Sequence, residues 1–524
     1  MISTMLARAR AYEQEAGGRI PDKDRPAVHL SARCGWLNDP NGFSWYDGAC
    51  HLFYQYHPYT TNWGPMHWGH AVSKDLLHWT YLPAALAPDQ EYDRDGCFSG
   101  SAVTLPDGRH MLTYTGVVKE VDEEGHLQIT QQQCLAFGDG VDYEKYEGNP
   151  VLTAADLPED IDPAQFRDPK VEWSGDHYSM ITCCADRTRD GRILRFESPD
   201  GIHYGSAQLL ISNKGRWGRV WECPDLFELD GSLVLLTSPM DMRAGDDEYV
   251  CGNGNLALIG GLNRRGRSEK AWRRTINSHI RGESPNPDWL DENWLHSSHP
   301  VDYGLDLYAT QTMKAPDGRR IMVAWMQNWD SSWVGEKECP GWFGQMTLPR
   351  ELSLVGNRLC QKPVRELEAL RGEPVHVIGN MACTSPLQGI TGCPLDLRLT
   401  LRSVYYAGLN MTPGICSLRF PTRMGYVSLS WDMRRNRLEI DRSCSGSRRA
   451  FMHRRTMTPI LTDGRLEMEI IIDLYSIEIF IAGGLQTITA ATESAFTDDR
   501  IMITSETPVE IEATAWRLDG RKIR

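Results

Sequence analysis

The sequence predicts an all-β protein: a β-propeller made of five copies of one sheet, followed by a second antiparallel unit. Three observations carry the prediction. Strand-like runs rich in Val, Ile, Tyr, Phe, Trp and Thr recur along residues 1–355 between Gly, Asp, Asn and Pro, and long helical periodicity is nearly absent. Five of these runs share one hairpin signature, an Asp-Gly or Gly-Asp turn ahead of a mostly apolar strand. Beyond 375 the pattern changes to longer stretches of apolar and polar alternation.

Residues 1–26, MISTMLARARAYEQEAGGRIPDKDRP, read as a short amphipathic helix and a polar connector. Charges run throughout and no continuous apolar region has signal-peptide length, so secretion is not indicated. The five hairpins are WYDGACHLFYQY from Trp45, LPDGRHMLTYTG from Leu105, WSGDHYSMITCC from Trp173, LDGSLVLLTSP from Leu229 and APDGRRIMVAWMQ from Ala315. A second echo follows three of them: SKDLLHW (73–79), GDGVDYEKY (138–146) and SPDGIHY (198–204). The turn aspartates 47, 107, 176, 230 and 317 are 60, 69, 54 and 87 residues apart, so insertions vary while the unit persists. Four-stranded repeats of this kind are propeller blades around a central channel, and 27–355 is assigned to them. The helical string KPVRELEALR (362–371) places a linker at 356–374. In 375–524, YVSLSWD (426–432) and RLEMEIIIDLYSIEIFIAG (465–483) read as antiparallel strands with one buried face.

A formal charge of -15 disfavours nucleic acid or an anionic membrane as partner, and no apolar run approaches the roughly 18 residues of a membrane span. Fourteen Cys without a CxxC pair, two of them the adjacent Cys183 and Cys184, suit reduced thiols in a cytoplasm and argue against a zinc site. His67 and His70 are three apart in a strand-like run, so their side chains need not converge on a metal. No cofactor or metal is expected. Seventeen Trp and 19 Tyr are compatible with neutral ligands such as sugars.

Counting back eight positions from each turn aspartate lands on Asp39, Ser99, Asp168, Glu222 and, breaking the rule, Ala309, with Asp306 and Tyr308 close by. Placed near the start of an innermost strand, Asp39, Asp168 and Glu222 would converge at one mouth of the channel. Acidic residues before Pro also suit plain turns, but three carboxylates gathered in one channel repel one another and fit a purely structural role poorly. Two carboxyl groups flanking a glycosidic bond are the usual apparatus for its hydrolysis, one attacking the anomeric carbon and the other protonating the departing oxygen. Crowding or desolvation should raise the pKa of the acid. Trp36, Trp63, Trp68 and Phe98 are candidate apolar walls for a sugar ring, each also a candidate core residue. Arg167, beside Asp168, is positioned to hold that carboxylate ionised.

The strings WLNDPNG (36–42), FYQYHP (53–58), WGPMHWGHAVSKDLLHW (63–79), GCFSGSAV (96–103), FRDPKV (166–171), ECPD (222–225) and GWFGQMTLPREL (341–352) resemble, in order, the motif series of glycoside hydrolase family 32. The resemblance implies a five-bladed β-propeller followed by a β-sandwich, and fructosyl cleavage with retention at the anomeric carbon. It implies Asp39 as nucleophile, Glu222 as general acid and then base, and Asp168 as the residue that binds furanose hydroxyls and stabilises the oxocarbenium-like transition state. Asn38, Gln55, Trp63, Phe98, Ser99 and Arg167 match positions lining the fructose pocket, with Trp36 beside them. Asp306-Leu307-Tyr308-Ala309 stands where many relatives carry Asp-Phe-Tyr-Ala, a departure expected to reshape the pocket wall. The sandwich, lacking any catalytic constellation, is read as a stabilising or oligomer-forming module. Sucrose, sucrose 6-phosphate and short fructans all stay open as substrates, and the 277–299 stretch reads as an extended loop bearing on substrate length. Fructosyl transfer through the same intermediate and a non-catalytic sugar-binding propeller are the competing functions.

Overall fold

The computed structural model describes residues 2–245, 248–260, 297–332, 340–404, 412–446 and 452–520. A helix, Thr4–Gly18, opens the chain, its first turn capped by Ser3, whose Oγ accepts from Leu6 N (3.1 Å). Five sheets follow, each with one strand of its hairpin facing a common axis: Gly35–Tyr46, Gly96–Thr104, Arg167–Trp173, Val220–Leu229 and Tyr308–Lys314. Each of these inner strands packs on the next, and the fifth packs on the first. The hairpin turns form where the Asp-Gly pairs predict them. Asp47 and Gly48 (φ 44° and 76°) and Asp230 and Gly231 (φ 50° and 77°) take the paired left-handed conformations of a two-residue hairpin turn, which Asp tolerates and Gly favours.

Every inner strand slips register with its neighbour: between Leu37 and Pro40 and again between Asn41 and Ser44 in the first, and between Phe98 and Gly100, Arg167 and Lys170, Glu222 and Asp225, and Tyr308 and Gln311 in the others. A bulge of this kind re-aims side chains and bends the strand. Two residues past the bulged position, each strand carries a polar side chain that ties the sheets together. Asn41 Oδ1 accepts from Gly100 N (3.3 Å), Ser101 Oγ from Val171 N (2.9 Å), Asp225 Oδ2 from Thr312 N (2.6 Å) and Gln311 Oε1 from Phe43 N (2.7 Å). Lys170 Nζ, in the third strand, donates to Thr312 O (2.6 Å) and pairs with Asp225 (3.2 Å).

The remaining chain forms two six-stranded antiparallel sheets packed over an aliphatic core that includes Leu397, Leu418, Ile470 and Ile479. The 3-10 turn Arg365–Leu370 occupies the predicted helical string. One strand falls inside the stretch expected to be a linker and a second begins in it: Arg358–Pro363 closes the fifth sheet against Arg350–Val355, and Arg371–Met381 opens the sandwich. The first escaped notice because its buried Gln361 reads as a surface residue, although its Oε1 accepts from the Arg350 guanidinium (2.8 Å). Among the described residues no helix is long and apolar enough to cross a membrane.

The two units meet across a buried polar seam. The imidazole of His29, fully buried, bridges Asp473 and Glu478 of the sandwich (2.8 Å each), and Glu478 Oε2 also accepts from Arg350 Nε (2.9 Å). Residues 302–306 run along the sandwich edge, with Tyr303 N donating to Thr487 O (2.7 Å) and Leu305 N to Thr489 O (2.8 Å). A Cβ on Gly304 would lie 2.1 Å from the Thr489 backbone.

Two outcomes are expected. Gln311→Leu orphans the Phe43 N–H and the Gly100 carbonyl that the Gln311 amide satisfies, costing about 1–3 kcal/mol for each in thermal or urea unfolding. The seam makes stability depend on pH. The two carboxylates outweigh burial and raise His29 from 6.5 to about 9, so its contribution is complete below the unfolded value and is lost as pH rises through about 9. Glu478, held down to about 2 by Arg350 and His29 against its burial, contributes above its ordinary carboxylate range and fails only as pH falls toward 2. Melting temperature measured from pH 6 to 10 should fall at the alkaline end in the wild type, and His29→Gln should flatten that step.

Candidate active site

The bulges explain how the site is assembled. Three bulged residues, Asp168, Cys223 and Ala309, hold φ of 59°, 50° and 54°, a left-handed conformation unusual for side-chain-bearing residues and frequent at functional sites. Counting from the ring of linking residues two positions on, Asp39, Ser99, Asp168, Cys223 and Ala309 form one tier. Asn38, Phe98, Arg167, Glu222 and Tyr308 form the tier before it. Glu222 therefore does not share the place of Asp39 and Asp168, as the eight-residue spacing predicts; it stands one residue earlier. The fourth hairpin closes directly on Asp230-Gly231, with Leu229 opposite Ser232. The first inner strand instead carries a second irregularity between Asn41 and Ser44, so its turn comes one residue later.

The three acids nonetheless meet. Cys223 Sγ lies 3.7 Å from both Asp39 Oδ2 and Asp168 Oδ2, and Cys223 N donates to Asp168 Oδ2 (2.9 Å). Arg167 stands between Asp168 (4.0 Å) and Glu222 (2.9 Å). Asp39 accepts from Asn38 Nδ2 (3.0 Å) and Ser99 Oγ (2.7 Å), and Asn38 is itself held by Trp36 Nε1 (2.7 Å). Glu222 is gripped on one oxygen by Arg167 Nε (2.9 Å) and on the other by the Tyr308 hydroxyl (2.5 Å), whose oxygen also lies 3.0 Å from Ser238 O. Asp168 further accepts from Cys183 Sγ (3.6 Å), and its N–H is tied to Thr115 Oγ1 (3.0 Å).

Burial and mutual repulsion dominate the electrostatics. Burial first, then the charge of Glu222, raises Asp39 to about 6 despite its hydrogen bonds. Burial likewise raises Asp168 to about 7, against the pull of Arg167 and with the push of Glu222 and Asp39. Arg167 pulls Asp168 toward the ionised form from 4.0 Å, but its short contacts go to Glu222 and burial outweighs the pull. Crowding by neighbouring carboxylates acts on Asp39 and Asp168.

The candidate walls divide. Trp63 and Phe98 are half-buried and pack edge to face, ring centres 6.0 Å apart. Trp68 is core, fully buried with its Nε1 on Phe98 O (3.1 Å). Trp36 is 1% exposed and stacks on Phe343 at 5.1 Å, reaching the site through Asn38 rather than facing a ligand. Gln55, 2% exposed, donates to Cys97 O (3.1 Å) beneath the Phe98 strand. Leu307 joins the core with Phe227 and Leu229, so the departure from Asp-Phe-Tyr-Ala alters packing and not the pocket wall. Asp306 is turned to the sandwich, where it pairs with Arg442. His67 and His70 have separate partners, Pro65 O and His51, and among the described residues no cluster of His, Cys, Asp and Glu is built to hold a metal. Residues 277–296 of the expected loop lie outside the described residues.

Sequence reasoning passed over Tyr308 as a ligand of Glu222 and Cys223 as the contact between the aspartates. The frame set by the linking residues would have found both, since it aligns Tyr308 with Glu222 and Cys223 with Asp168.

The model for the glycosyl hydrolases family 32 N-terminal domain matches residues 29–363, and that for the family 32 C terminal matches 366–512. The sucrose-6-phosphate hydrolase of Zymomonas mobilis subsp. mobilis is 34% identical over 497 residues, 91% of this chain and 88% of that protein. The raffinose invertase of Escherichia coli is 37% identical over 397 residues, 73% of this chain and 75% of its own. Among solved structures, the Bombyx mori GH32 beta-fructofuranosidase superposes with a TM-score of 0.77 at 30% identity, covering 99% of this chain and 98% of that one. With β-propeller and β-sandwich in sequence, these matches show that the chain belongs to glycoside hydrolase family 32 and is a glycosidase.

Proposed function

We propose that the protein is a retaining β-fructofuranosidase that releases terminal fructose from sucrose or short fructo-oligosaccharides. The observation that supports it best is the meeting of Asp39, Asp168 and Glu222 through Cys223 and Arg167 at one end of the propeller axis. Asp39, ionised, attacks the fructosyl anomeric carbon while Glu222 gives its proton to the departing glycosidic oxygen, leaving a fructosyl ester on Asp39. Glu222 then takes a proton from water, whose oxygen attacks the same carbon and frees Asp39. Asp168 binds fructose hydroxyls. Arg167 and Tyr308 fix the direction of the Glu222 carboxyl, and Asn38 and Ser99 fix that of Asp39. Trp63 and Phe98 give the sugar an apolar face.

The substrate reading draws on relatives. Their names include sucrose-6-phosphate hydrolase and raffinose invertase, and a mutant of the Bombyx mori enzyme has been solved in complex with sucrose. Free thiols throughout the described chain, Cys183 and Cys184 among them, favour a cytoplasmic setting. The propeller and the sandwich are read as two units, the second stabilising the first or joining copies of the chain.

Asp39→Asn should lower turnover of sucrose by about a thousandfold or more while binding stays within a few fold; full retention of function would favour a sugar-binding propeller without catalysis. Because Asp39 must be ionised to attack and is raised to about 6, kcat/KM should fall as pH drops below about 6. Equal release of glucose and fructose at high sucrose separates hydrolysis from fructosyl transfer.

A further inference from the structure

The proposed reaction leaves open what the leaving sugar carries, and one cation at the rim bears on this. Lys119 lies near the end of the strand His110–Val121, beyond the pairing of Gly96 with Val117. It is four residues, about 13 Å of strand, above Thr115, which pairs with Phe98 and anchors Asp168. Its ammonium sits 5.2 Å from the ring centre of Trp63, whose ring packs on Phe98; the next residue, Ser99, donates to Asp39. Lys119 thus stands at the level of a second sugar, above the one that the carboxylates engage.

The charges around it are arranged to leave that ammonium available. The neighbouring acids Asp95, Glu120 and Glu91 pair with Arg94 (3.8, 2.8 and 3.4 Å). Asp95 meets Lys119 through the backbone N–H (2.7 Å). Among the described residues the Lys119 ammonium has an aromatic partner and no ion pair. The other cation of the site, Arg167, is occupied by Glu222. A floor of three carboxylates repels an anion, so an anionic group on the substrate must be held away from it, at the rim.

We infer that Lys119 is a specificity-determining residue that selects a substrate whose leaving sugar bears a phosphate, its ammonium acting as a point charge for the phosphoryl oxygens. The inference rests on the fructosidase reading above.

The test compares kcat/KM for sucrose 6-phosphate and sucrose in the full-length wild type, Lys119→Met, Lys119→Arg and Arg219→Gln; Arg219 is an exposed cation preceding the strand of Glu222. The wild type should favour the phosphorylated sugar by about tenfold or more. Lys119→Met should bring that ratio close to one, mainly through KM, Lys119→Arg should restore most of it, and added salt should erode it in the wild type. A wild-type ratio near one, a ratio untouched by Lys119→Met, or one abolished by Arg219→Gln instead would overturn the inference while leaving the fructosidase reading intact. Fructose release from neither substrate would overturn that reading and this inference together.

Discussion

The structure depends on one repeated interaction: a polar side chain, two residues past a bulge, bonded to the backbone of another inner strand. Sheets that radiate from an axis bury most of their apolar surface against flanking sheets, and that packing does not fix their height along the axis. The bonds of Asn41, Ser101, Asp225 and Gln311 to Gly100, Val171, Thr312 and Phe43 do. A backbone N–H has a defined position, and leaving it unpaired in the interior costs about 1–3 kcal/mol, so a slip of one residue is penalised at several places at once. With the height fixed, the bulged residues of the five strands fall at one level, and side chains as far as 184 residues apart come into contact.

That registration allows acids to be crowded. Asp39 and Asp168, both buried, share a thiol between them and are pushed well above the ordinary carboxylate range. The arrangement opposes folding locally, because charge is desolvated without full compensation. It persists because the surrounding shell consists of donors on rigid strands: Asn38, Ser99, the Cys223 amide and thiol, Arg167 and Tyr308. The left-handed backbone at Asp168 and Cys223 adds a further local cost, and together with the bulge it turns their side chains toward the axis. Strain and crowding coincide at the place where chemistry requires a poised carboxylate.

The sequence revealed the repeat through its turns, because Asp-Gly at positive φ is a local requirement visible in a few residues. It revealed the acids for the same reason, since each stands a short count before such a turn. The tier of Glu222 was not legible from that count, because it depends on whether a strand holds one irregularity or two, which is settled by pairing with a neighbouring strand. Aromatic residues were the least legible. Trp68 and Trp63 stand five apart in one motif, yet the first is core and the second a wall, a distinction set by what the Phe98 strand brings against them.

Asp306 shows how the sandwich enters this scheme. In the segment that leads into the fifth sheet, Asp306 faces the sandwich, where it pairs with Arg442 and accepts from Ala491 N (2.8 Å), while Tyr308, which opens the strand two residues on, holds Glu222. Only Leu307 separates the two, so anchoring Asp306 on the sandwich limits where Tyr308 can stand. Gly304, pressed on Thr489, and the backbone bonds of Tyr303 and Leu305 anchor the same segment to the sandwich edge. Among the described residues the sandwich contributes no side chain to the acids, yet it anchors the segment that carries the phenol orienting one of them. The sandwich is thereby coupled to the site through the three residues Asp306, Leu307 and Tyr308.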